Sequence, residues 1–436
     1  MRGVANMAID LTTSRNIRRL YGYNFFTALA ITVVCNFVFL DKLLLRMQID
    51  LELFGLIKGC MFMASAFLYM AFTPLLQKMP GRSDRFICIW AYLFRALLPA
   101  LLPVFALLTD NRTLLTWSAT VFLSLGMTLA AFANNSLMSL YRLVLPEEHF
   151  NRRVGMMNLL ISLPASLLGV LMAWILDQYE SADTRTFLLI FTVLQIICVV
   201  FELPAMILMK RLELPDKILK NPPRIKGGLW KPWCDRAYVP ILLLVLLHGF
   251  VAGAWIAYLS VYFLTICQFD MSALVLAGLL LSLLLTGSLP FSGQLTDRIG
   301  YRRMFLILSL GSLAGGLLFC FYPGNFWLLI PFAILLWDGN ISLFSGCLGY
   351  GLYAAGSKLA KSELTTCYIS AFGLCRNGGI FIGSLIGSLV YGLLERHYQN
   401  AELFQRYFWC ILPLSGLLFA ASLIYRFMNR QRQYEN

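Results

Sequence analysis

The stretch that decides the fold is residues 239–266, VPILLLVLLHGFVAGAWIAYLSVYFLTI, which contains no Asp, Glu, Lys or Arg. A bilayer core of about 30 Å is crossed by about 20 apolar residues in a helix, so this run is long enough to span it. Similar runs recur along the whole chain, and none shows the period-two alternation of a membrane-spanning β-strand. Because the backbone in lipid must satisfy its hydrogen bonds internally, these runs predict an all-α integral membrane protein.

The composition excludes most soluble classes of protein. Of the 436 residues, 59% are hydrophobic and 13% are charged, whereas about a quarter of a soluble chain is charged. The 11 cysteines are scattered without a C-x-x-C pair, which indicates packing residues rather than a disulfide framework or a metal site. Since the chain has three histidines, no metal-spaced cluster and no Walker pattern, we expect no metal, no cofactor, no ATP-driven step and no enzyme activity.

The apolar runs and the polar breaks between them predict twelve transmembrane helices. Several connectors, such as residues 109–112, are so short that consecutive helices must run antiparallel. A polar connector at residues 210–237 divides the spans into two sets, and we expect two pseudo-symmetric six-helix bundles at residues 1–209 and 238–436. The predicted spans, numbered one to twelve, are residues 18–40, 53–76, 86–108, 113–140, 154–176, 185–209, 239–266, 272–292, 304–322, 326–353, 365–393 and 406–427.

The distribution of Lys and Arg predicts the orientation in the membrane. The N-terminus, the even-to-odd connectors and the C-terminus hold 26 of the 35 basic residues, and Arg95 and Arg376 lie inside spans. This bias predicts cytoplasmic termini in the inner (plasma) membrane of a bacterium. It also explains the net charge of +13 through anionic lipid, without a nucleic-acid partner. The seven basic residues on the opposite side are Lys42, Arg46, Lys58, Arg112, Arg185, Arg396 and Arg406.

Two sequence matches indicate that the second half duplicates the first. Residues 155–158 at the start of span five match residues 373–376 at the start of span eleven, at an offset of 218. Residues 75–82 after span two match residues 295–302 after span eight, at an offset of 220. Both offsets are close to half the chain length, so the matches support internal duplication.

A charged motif, GQLTDRIGYRR, lies between spans eight and nine at residues 293–303. It resembles the G-x-L-x-D-R-x-G-R-R signature of the major facilitator superfamily and departs from it only at Tyr301. The copy after span two is degenerate, with Gln77 in place of the acid and Pro80 in place of the glycine. The resemblance implies a gating role for Gly293, Asp297, Arg298, Gly300, Arg302 and Arg303.

The resemblance also implies a two-domain carrier that works by alternating access around a central cavity. Spans one, four, seven and ten would line this cavity. The leading interpretation is a secondary active transporter, a proton-coupled symporter of a small solute, and we expect a monomer. A drug or metabolite efflux antiporter remains an alternative, although leucines occupy the span-five glycine positions typical of that branch. A non-transporting receptor or scaffold is an alternative of another class.

Ionisable groups inside the membrane are costly, so each is a candidate functional residue. Asp338 in span ten and Arg376 in span eleven lie at similar depth near the midplane, and the amides Asn340 and Asn377 lie beside them. Asp338 would carry a coupling proton or contact substrate, and Arg376 would hold an anionic group or tune Asp338. A fixed ion pair that locks two helices together is the alternative.

Other polar and aromatic residues extend the candidate site. Trp255, Tyr258 and Tyr262 share one face of span seven, where they would line the cavity or pack against a neighbouring helix. A histidine can titrate near neutral pH, which makes His248 a candidate, but His248 is also compatible with hydrogen-bonded packing. Arg95 in span three and Glu202 in span six form a second pair, for which we favour a structural role. The amides on expected cavity helices are Asn24, Asn134 and Asn135.

Overall fold

The computed structural model is all-helical in the part of the chain that it describes. Between the helices there are only turns and short extended segments, and no strand occurs among these residues. Seven of the helices are long and apolar enough to cross a membrane, which agrees with the predicted class of protein. The described residues are 2–32, 36–76, 82–144, 150–213, 230–280, 298–321 and 365–431.

The helices follow the predicted spans closely over most of the chain. Two predicted spans lie wholly or mainly outside the described residues: span ten, and span eight beyond its first part. The first half contains α1 (Arg2–Ala30), α2 (Phe37–Arg46), α3 (Glu52–Leu76), α4 (Arg82–Leu108), α5 (Arg112–Val144), α6 (Phe150–Gln178), α7 (Thr184–Val200) and α8 (Glu202–Lys210). The second half contains α9 (Lys231–Cys234), α10 (Val239–Thr265), α11 (Met271–Leu280), α12 (Tyr301–Phe321), α13 (Thr365–Glu395) and α14 (Asn400–Gln431).

The prediction of span one as a single continuous helix is wrong. Helix α1 ends at Ala30, and α2 begins at Phe37 after an N-cap at Asn36, whose side chain accepts a hydrogen bond from the Val38 amide. The sequence before this cap, residues 31–34, is a β-branched run (ITVV) that has low helix propensity. The break is not visible in a hydropathy profile, because β-branched residues are as apolar as the residues that favour a continuous helix.

Span six also consists of two helices. Phe201 separates α7 from α8, and Pro204 follows in the first turn of α8. Proline lacks the amide that would donate to the carbonyl four residues earlier, so the hydrogen-bond ladder is interrupted at this point. At the other end of α7, Asp183 forms the N-cap. Hydrogen bonds from Thr186 hold the pKa of this exposed carboxyl below its usual value.

Equivalent helices of the two halves pack in equivalent ways. Helix α1 packs against α6, and α10 packs against α13, so span one contacts span five as span seven contacts span eleven. Helix α4 packs against α7, and α12 packs against α14, which repeats the contact between the third and sixth spans of a half. This shared pattern agrees with the internal duplication inferred from the sequence offsets.

The two halves meet where α3 packs against α13 and where α10 approaches α2 and α3. Large apolar side chains cover the outward faces of the helices. On α4, Phe86, Trp90 and Phe94 are exposed at four-residue spacing, and their rings contact one another in sequence. In a membrane such an apolar stripe faces lipid, since water would make the exposure unfavourable.

Helices α10 and α13 are the most closely packed pair among the described helices. A Cβ built on Gly249, Gly253, Gly379 or Gly383 would overlap a backbone carbonyl of the facing helix. The four glycines form two small-xxx-small motifs, one on each helix, and such motifs allow the two helix backbones to come into direct contact. The crossing therefore depends on the absence of side chains at these positions.

We predict that Gly383→Ala destabilises the protein by about 1–3 kcal/mol, because the added methyl meets the backbone of Phe250 and overpacking costs this much in a tight core. Gly378→Ala on the same helix is the matched control, since nothing lies within 4 Å of its built Cβ. Thermal unfolding of the detergent-purified variants measures both effects. Equal unfolding temperatures for the two variants would contradict the close crossing.

Candidate functional site

The proposed partner residues of span ten lie outside the described residues. These are Asp338 and Asn340, so the structure does not describe their contact with span eleven. Arg376 and Asn377 lie on α13 and are partly exposed. The Asn377 amide donates a 3.0 Å hydrogen bond to Ser65 Oγ on α3. Asn377 therefore lies where the two halves of the chain meet.

The gating motif is described only in its second part. Gly293 and Asp297 lie outside the described residues, whereas Arg298, Arg302 and Arg303 lie within them. Gly300 adopts a φ of +80° immediately before α12 begins. This left-handed conformation favours glycine and explains the residue that the signature has at this position.

Arg302 contacts the same half of the chain. Its guanidinium carbon lies 5.9 Å from the centre of the Tyr425 ring on α14. Such a cation–π contact stabilises the charge at the membrane boundary. In this conformation Arg302 therefore links α12 to α14.

The three aromatic residues of span seven face neighbouring helices. Trp255 stacks on Phe408 of α14, with a ring separation of 5.4 Å. Tyr258 stacks on Tyr391 of α13, with a ring separation of 4.3 Å. Tyr262 is 4% exposed and packs among rings of α12 and α14. The sequence allows these residues either to line a cavity or to pack against a neighbouring helix, and in this conformation they pack against neighbouring helices.

The amides of the first half take part in hydrogen bonds with tyrosines. Tyr141 donates to Asn24 Oδ1 at 2.8 Å, which links α5 to α1. Tyr92 of α4 donates to Asn134 Oδ1 at 2.6 Å, and Asn134 is exposed. The side chain of Asn135 lies outside the described part of the structure. Two of the three predicted amides thus belong to one polar region between α1, α4 and α5.

The remaining ionisable candidates are buried. His248 lies inside α10 and is 3% exposed. Glu202 is fully buried at the start of α8, and Arg95 on α4 is 6% exposed. Thr27 of α1 donates to Glu202 Oε1 at 3.3 Å, and the guanidinium of Arg95 lies over the ring of Tyr92. Thr27, Glu202 and Arg95 lie on three helices of the first half, α1, α8 and α4.

A buried charge pair that the sequence reasoning missed lies where the two halves of the chain meet. Lys58 of α3 and Asp41 of α2 both have fully buried side chains, and Nζ lies 2.8 Å from each carboxylate oxygen. Lys58 also donates at 3.0 Å to the carbonyl oxygens of Ile256 and Ala257 on α10. Ser260 of α10 donates to the same carboxylate. We refer to these five residues as the gate cluster.

The gate cluster uses the full donor capacity of its lysine. An ammonium group has three protons, and here they are directed at one carboxylate and two backbone carbonyls. Taking an ion from water into a protein interior costs several kcal/mol, and only good geometry with further hydrogen bonds offsets that cost. Two of the offsetting acceptors belong to the second half, so α3 and α10 are held together in this conformation.

Close backbone packing continues from the gate cluster along α3 and α13. A Cβ on Gly55 would meet the side chain of Ser388 and lie 2.7 Å from the Ser384 carbonyl oxygen. A Cβ on Gly59 would lie 3.2 Å from the Phe381 ring. Nearby, the Tyr258 hydroxyl donates to the Glu52 carbonyl oxygen at 3.1 Å. The two halves are therefore in direct contact along this part of the interface.

A third contact between the halves joins the end of α6 to the start of α11. The carboxylate of Asp177 accepts hydrogen bonds from the amides of Met271 and Ser272, at 3.0 and 2.8 Å. A carboxylate at a helix N-terminus satisfies amides that have no partner within the helix and interacts favourably with the helix dipole. Asp177 thus caps a helix of the opposite half.

These three contacts lie at one end of the molecule, which we call the short-loop end. Its turns, residues 47–51, 109–111, 179–183, 266–270 and 396–399, are all brief. Lys42 and Arg46 contact Glu180 there, and Arg112 contacts Gln48 at 2.9 Å. At the opposite end, Arg19 pairs with Glu213, at the start of the connector.

Lys58 also corrects the sequence-based assignment of charges. The sequence groups it with the outer connectors, because basic residues near the end of an apolar run are normally exposed. The structure has it inside α3, 0% exposed. Its position within the predicted span 53–76 was the only available signal, since burial depends on α10, 198 residues away along the chain.

Comparison with known proteins gives a consistent family and fold. A sequence model of the Major Facilitator Superfamily matches residues 20–384. No curated protein sequence matches the chain. The structure is similar to the nucleoside transporter NupG, with a TM-score of 0.64, 12% identity, and coverage of 95% of this chain and 98% of that one. It is also similar to a bacterial homologue of the human lysosomal transporter Spinster, with a TM-score of 0.62, 14% identity, and coverage of 96% and 97%.

A bacterial homologue of the iron transporter ferroportin is similar in two conformations. For the inward-facing state the TM-score is 0.67 at 16% identity, with coverage of 95% of this chain and 99% of that one. For the outward-facing state the TM-score is 0.61 at 15% identity, with coverage of 94% and 99%. The TM-score is thus higher for the inward-facing state than for the outward-facing state of that protein.

We predict that Lys58→Met destabilises the protein by about 3–5 kcal/mol, because it leaves the buried Asp41 carboxylate without its counter-charge. The double variant Asp41→Leu/Lys58→Met should be much closer to the wild type, since both charges are then absent. Lys42→Met is the control, because its partner Glu180 is exposed and such pairs contribute about 0–1 kcal/mol. Unfolding free energies in detergent measure all three effects. Additive losses in the double variant would rule out a coupled pair.

Proposed function

This chain belongs to the major facilitator superfamily, and from that premise we propose that it moves a small solute across the membrane by alternating access. Its family and its structural neighbours are those of multi-pass membrane transporters rather than enzymes. The moving parts would be two six-helix bundles, residues 1–209 and 238–436, joined by a cytoplasmic connector at residues 210–237. The complete transporter would have twelve transmembrane helices.

The observation that carries the proposal is the gate cluster. A fully buried ion pair of one half donates to backbone carbonyls of the other half, at the same end where Asp177 caps α11. These contacts join the two halves, which are the parts that move relative to each other in a carrier. In a carrier, such contacts close one side of the cavity and are released when that side opens.

The direction of closure follows from the charge bias. If the Lys- and Arg-rich side is cytoplasmic, the short-loop end faces away from the cytoplasm. The conformation is then closed to the outside and corresponds to an inward-facing state. Its greater similarity to the inward-facing form of the ferroportin homologue than to the outward-facing form supports this assignment.

We propose proton-coupled symport as the mode of energisation, with Asp338 as a proton carrier and Arg376 as a contact for an anionic group of the substrate. Arg376 is partly exposed and precedes Asn377, which contacts α3, so it lies next to the interface between the halves. A guanidinium near the midplane attracts an anionic ligand strongly, because little water is present to screen it. The substrate would then be a small organic anion taken up with protons.

The gate proposal is tested by measuring distances between spin labels across the short-loop end. Labels replace two exposed residues, Asp110 of the first half and Gln399 of the second, in a cysteine-free background. We predict that Lys58→Met together with Asp41→Leu shifts the distribution to longer separations, because neither side chain can then hydrogen-bond to α10. A label pair within the first half, Asp110 and Glu180, is the control. An unchanged distribution between the halves would contradict a gate role.

Proton coupling is tested by uptake into proteoliposomes. A thermal-shift screen against organic anions supplies the solute, with Arg376→Ala as the variant that should lose the stabilisation. We predict that an inward proton gradient drives accumulation, that a protonophore abolishes it, and that Asp338→Asn retains exchange but loses accumulation. Accumulation by Asp338→Asn equal to that of the wild type would exclude Asp338 as the proton carrier. Accumulation driven by an outward-directed proton flux would indicate an antiporter.

A further inference from the structure

Glu202 is a buried carboxyl that the transport scheme above does not use. It lies at the start of α8, within the membrane-spanning segment Thr184–Lys210, and its side chain is inaccessible to solvent. Oε1 accepts one hydrogen bond from Thr27, whereas Oε2 has no hydrogen-bond partner among the residues that the structure describes. An ionised carboxylate normally accepts several hydrogen bonds when it is buried. This site offers one, which is a poor environment for a permanently charged group.

Three ionisable groups face Glu202 from the helices packed around α8. Arg95 and Cys88 come from α4, and Tyr23 comes from α1; each interacts electrostatically with the carboxyl. Of these, only Arg95 carries a charge near neutral pH. The balance between one nearby cation and almost complete desolvation therefore decides whether a proton is bound.

A fixed ion pair requires more than this arrangement provides. A bidentate guanidinium–carboxylate pair occupies both oxygens, and Oε2 is not engaged in this way. The guanidinium of Arg95 lies instead over the Tyr92 ring, with a distance of 5.3 Å from its carbon to the ring centre. Because the ring also stabilises the cation, Arg95 keeps a favourable contact when the carboxyl is neutral.

The same ring connects the site to the exposed surface of the first half. Tyr92 donates a 2.6 Å hydrogen bond to Asn134, which is exposed on α5. It also packs edge-on against Tyr23. A change of charge at Glu202 therefore acts on Arg95. The guanidinium of Arg95 contacts the Tyr92 ring, and the Tyr92 hydroxyl is hydrogen-bonded to the exposed side chain of Asn134.

We propose that Glu202 is a reversible proton-binding site of the first half, distinct from Asp338 in the second half. One proton adds to the carboxylate, and the Glu202–Arg95 site changes from neutral to a single positive charge. The inference rests on the proposed proton coupling, because it adds a second titrating site to that scheme. It concerns binding of a proton to the protein, so it can be tested without a transported solute.

The experiment is infrared difference spectroscopy of the purified full-length protein between about pH 5 and about pH 9, a range that lies above the ordinary pKa of an exposed glutamate. The expected result is a carboxylic C=O band that appears on acidification in the wild type and is absent in Glu202→Gln. Thr27→Val should shift the frequency of that band, because it removes the hydrogen bond to Oε1. Glu402→Gln, which alters an exposed partner of Arg406, should leave the band unchanged.

Two results would overturn the proposal. One is a wild-type spectrum that Glu202→Gln leaves unaltered, and the other is a Glu202 band that is constant across the range. If Glu202→Gln does not fold, Glu202→Asp retains an acid, and its band should appear at a displaced frequency. The outcome is independent of the uptake assay. A Glu202 band that titrates, without proton-driven uptake, would support the proton-binding site and refute the proposed proton coupling. Proton-driven uptake without the Glu202 band would refute the proton-binding site alone.

Discussion

The ammonium group of Lys58 lies in an interior without solvent, so the protein must accept every proton that it carries. The acceptors are the carboxylate of Asp41 and the carbonyl oxygens of Ile256 and Ala257. They come from both halves of the chain, and neither half alone can satisfy the charge. The desolvation of one lysine therefore fixes how α3 meets α10 at the short-loop end. Asp177 of the first half caps α11 of the second half and so also holds the two halves together.

These polar contacts require helix backbones to approach one another closely. Lys58 reaches main-chain carbonyls of α10, and such contact depends on small residues along the neighbouring surfaces. Gly55 and Gly59 give α3 that freedom against α13, while Gly253 and Gly383 do so between α10 and α13. Lipid provides no hydrophobic force between apolar helices, so close packing and interhelical hydrogen bonds are what hold them. The glycines thus allow the close approach of the helices that the hydrogen bonds of the buried charges require.

The fold could be predicted from the sequence because long apolar runs have few physical solutions in a membrane. The break between α1 and α2 is not visible in hydropathy, because it depends on a β-branched run and on local capping by Asn36. The candidate site was harder for a different reason. Trp255 could have faced a cavity or a helix, and only the position of α14 decides this. Lys58 resembles a connector charge in the sequence because its acceptors are remote along the chain.

If the gate cluster acts as the proposed gate, it must both close and open, and its distribution of charge allows both. Lys58 and Asp41 belong to the same half, so the ion pair need not separate when the halves part. Opening would break only the hydrogen bonds to two carbonyls and to Ser260, and entering water would replace each of them. A hydrogen bond to a charged group contributes about 1.5–3 kcal/mol net, so opening would be opposed by at most three such contributions and not by separation of the ion pair. A ligand that favours the open state can offset a difference of this kind. Had the two charges lain on opposite halves, opening would also have had to separate the ion pair, and the closed state would have been harder to leave.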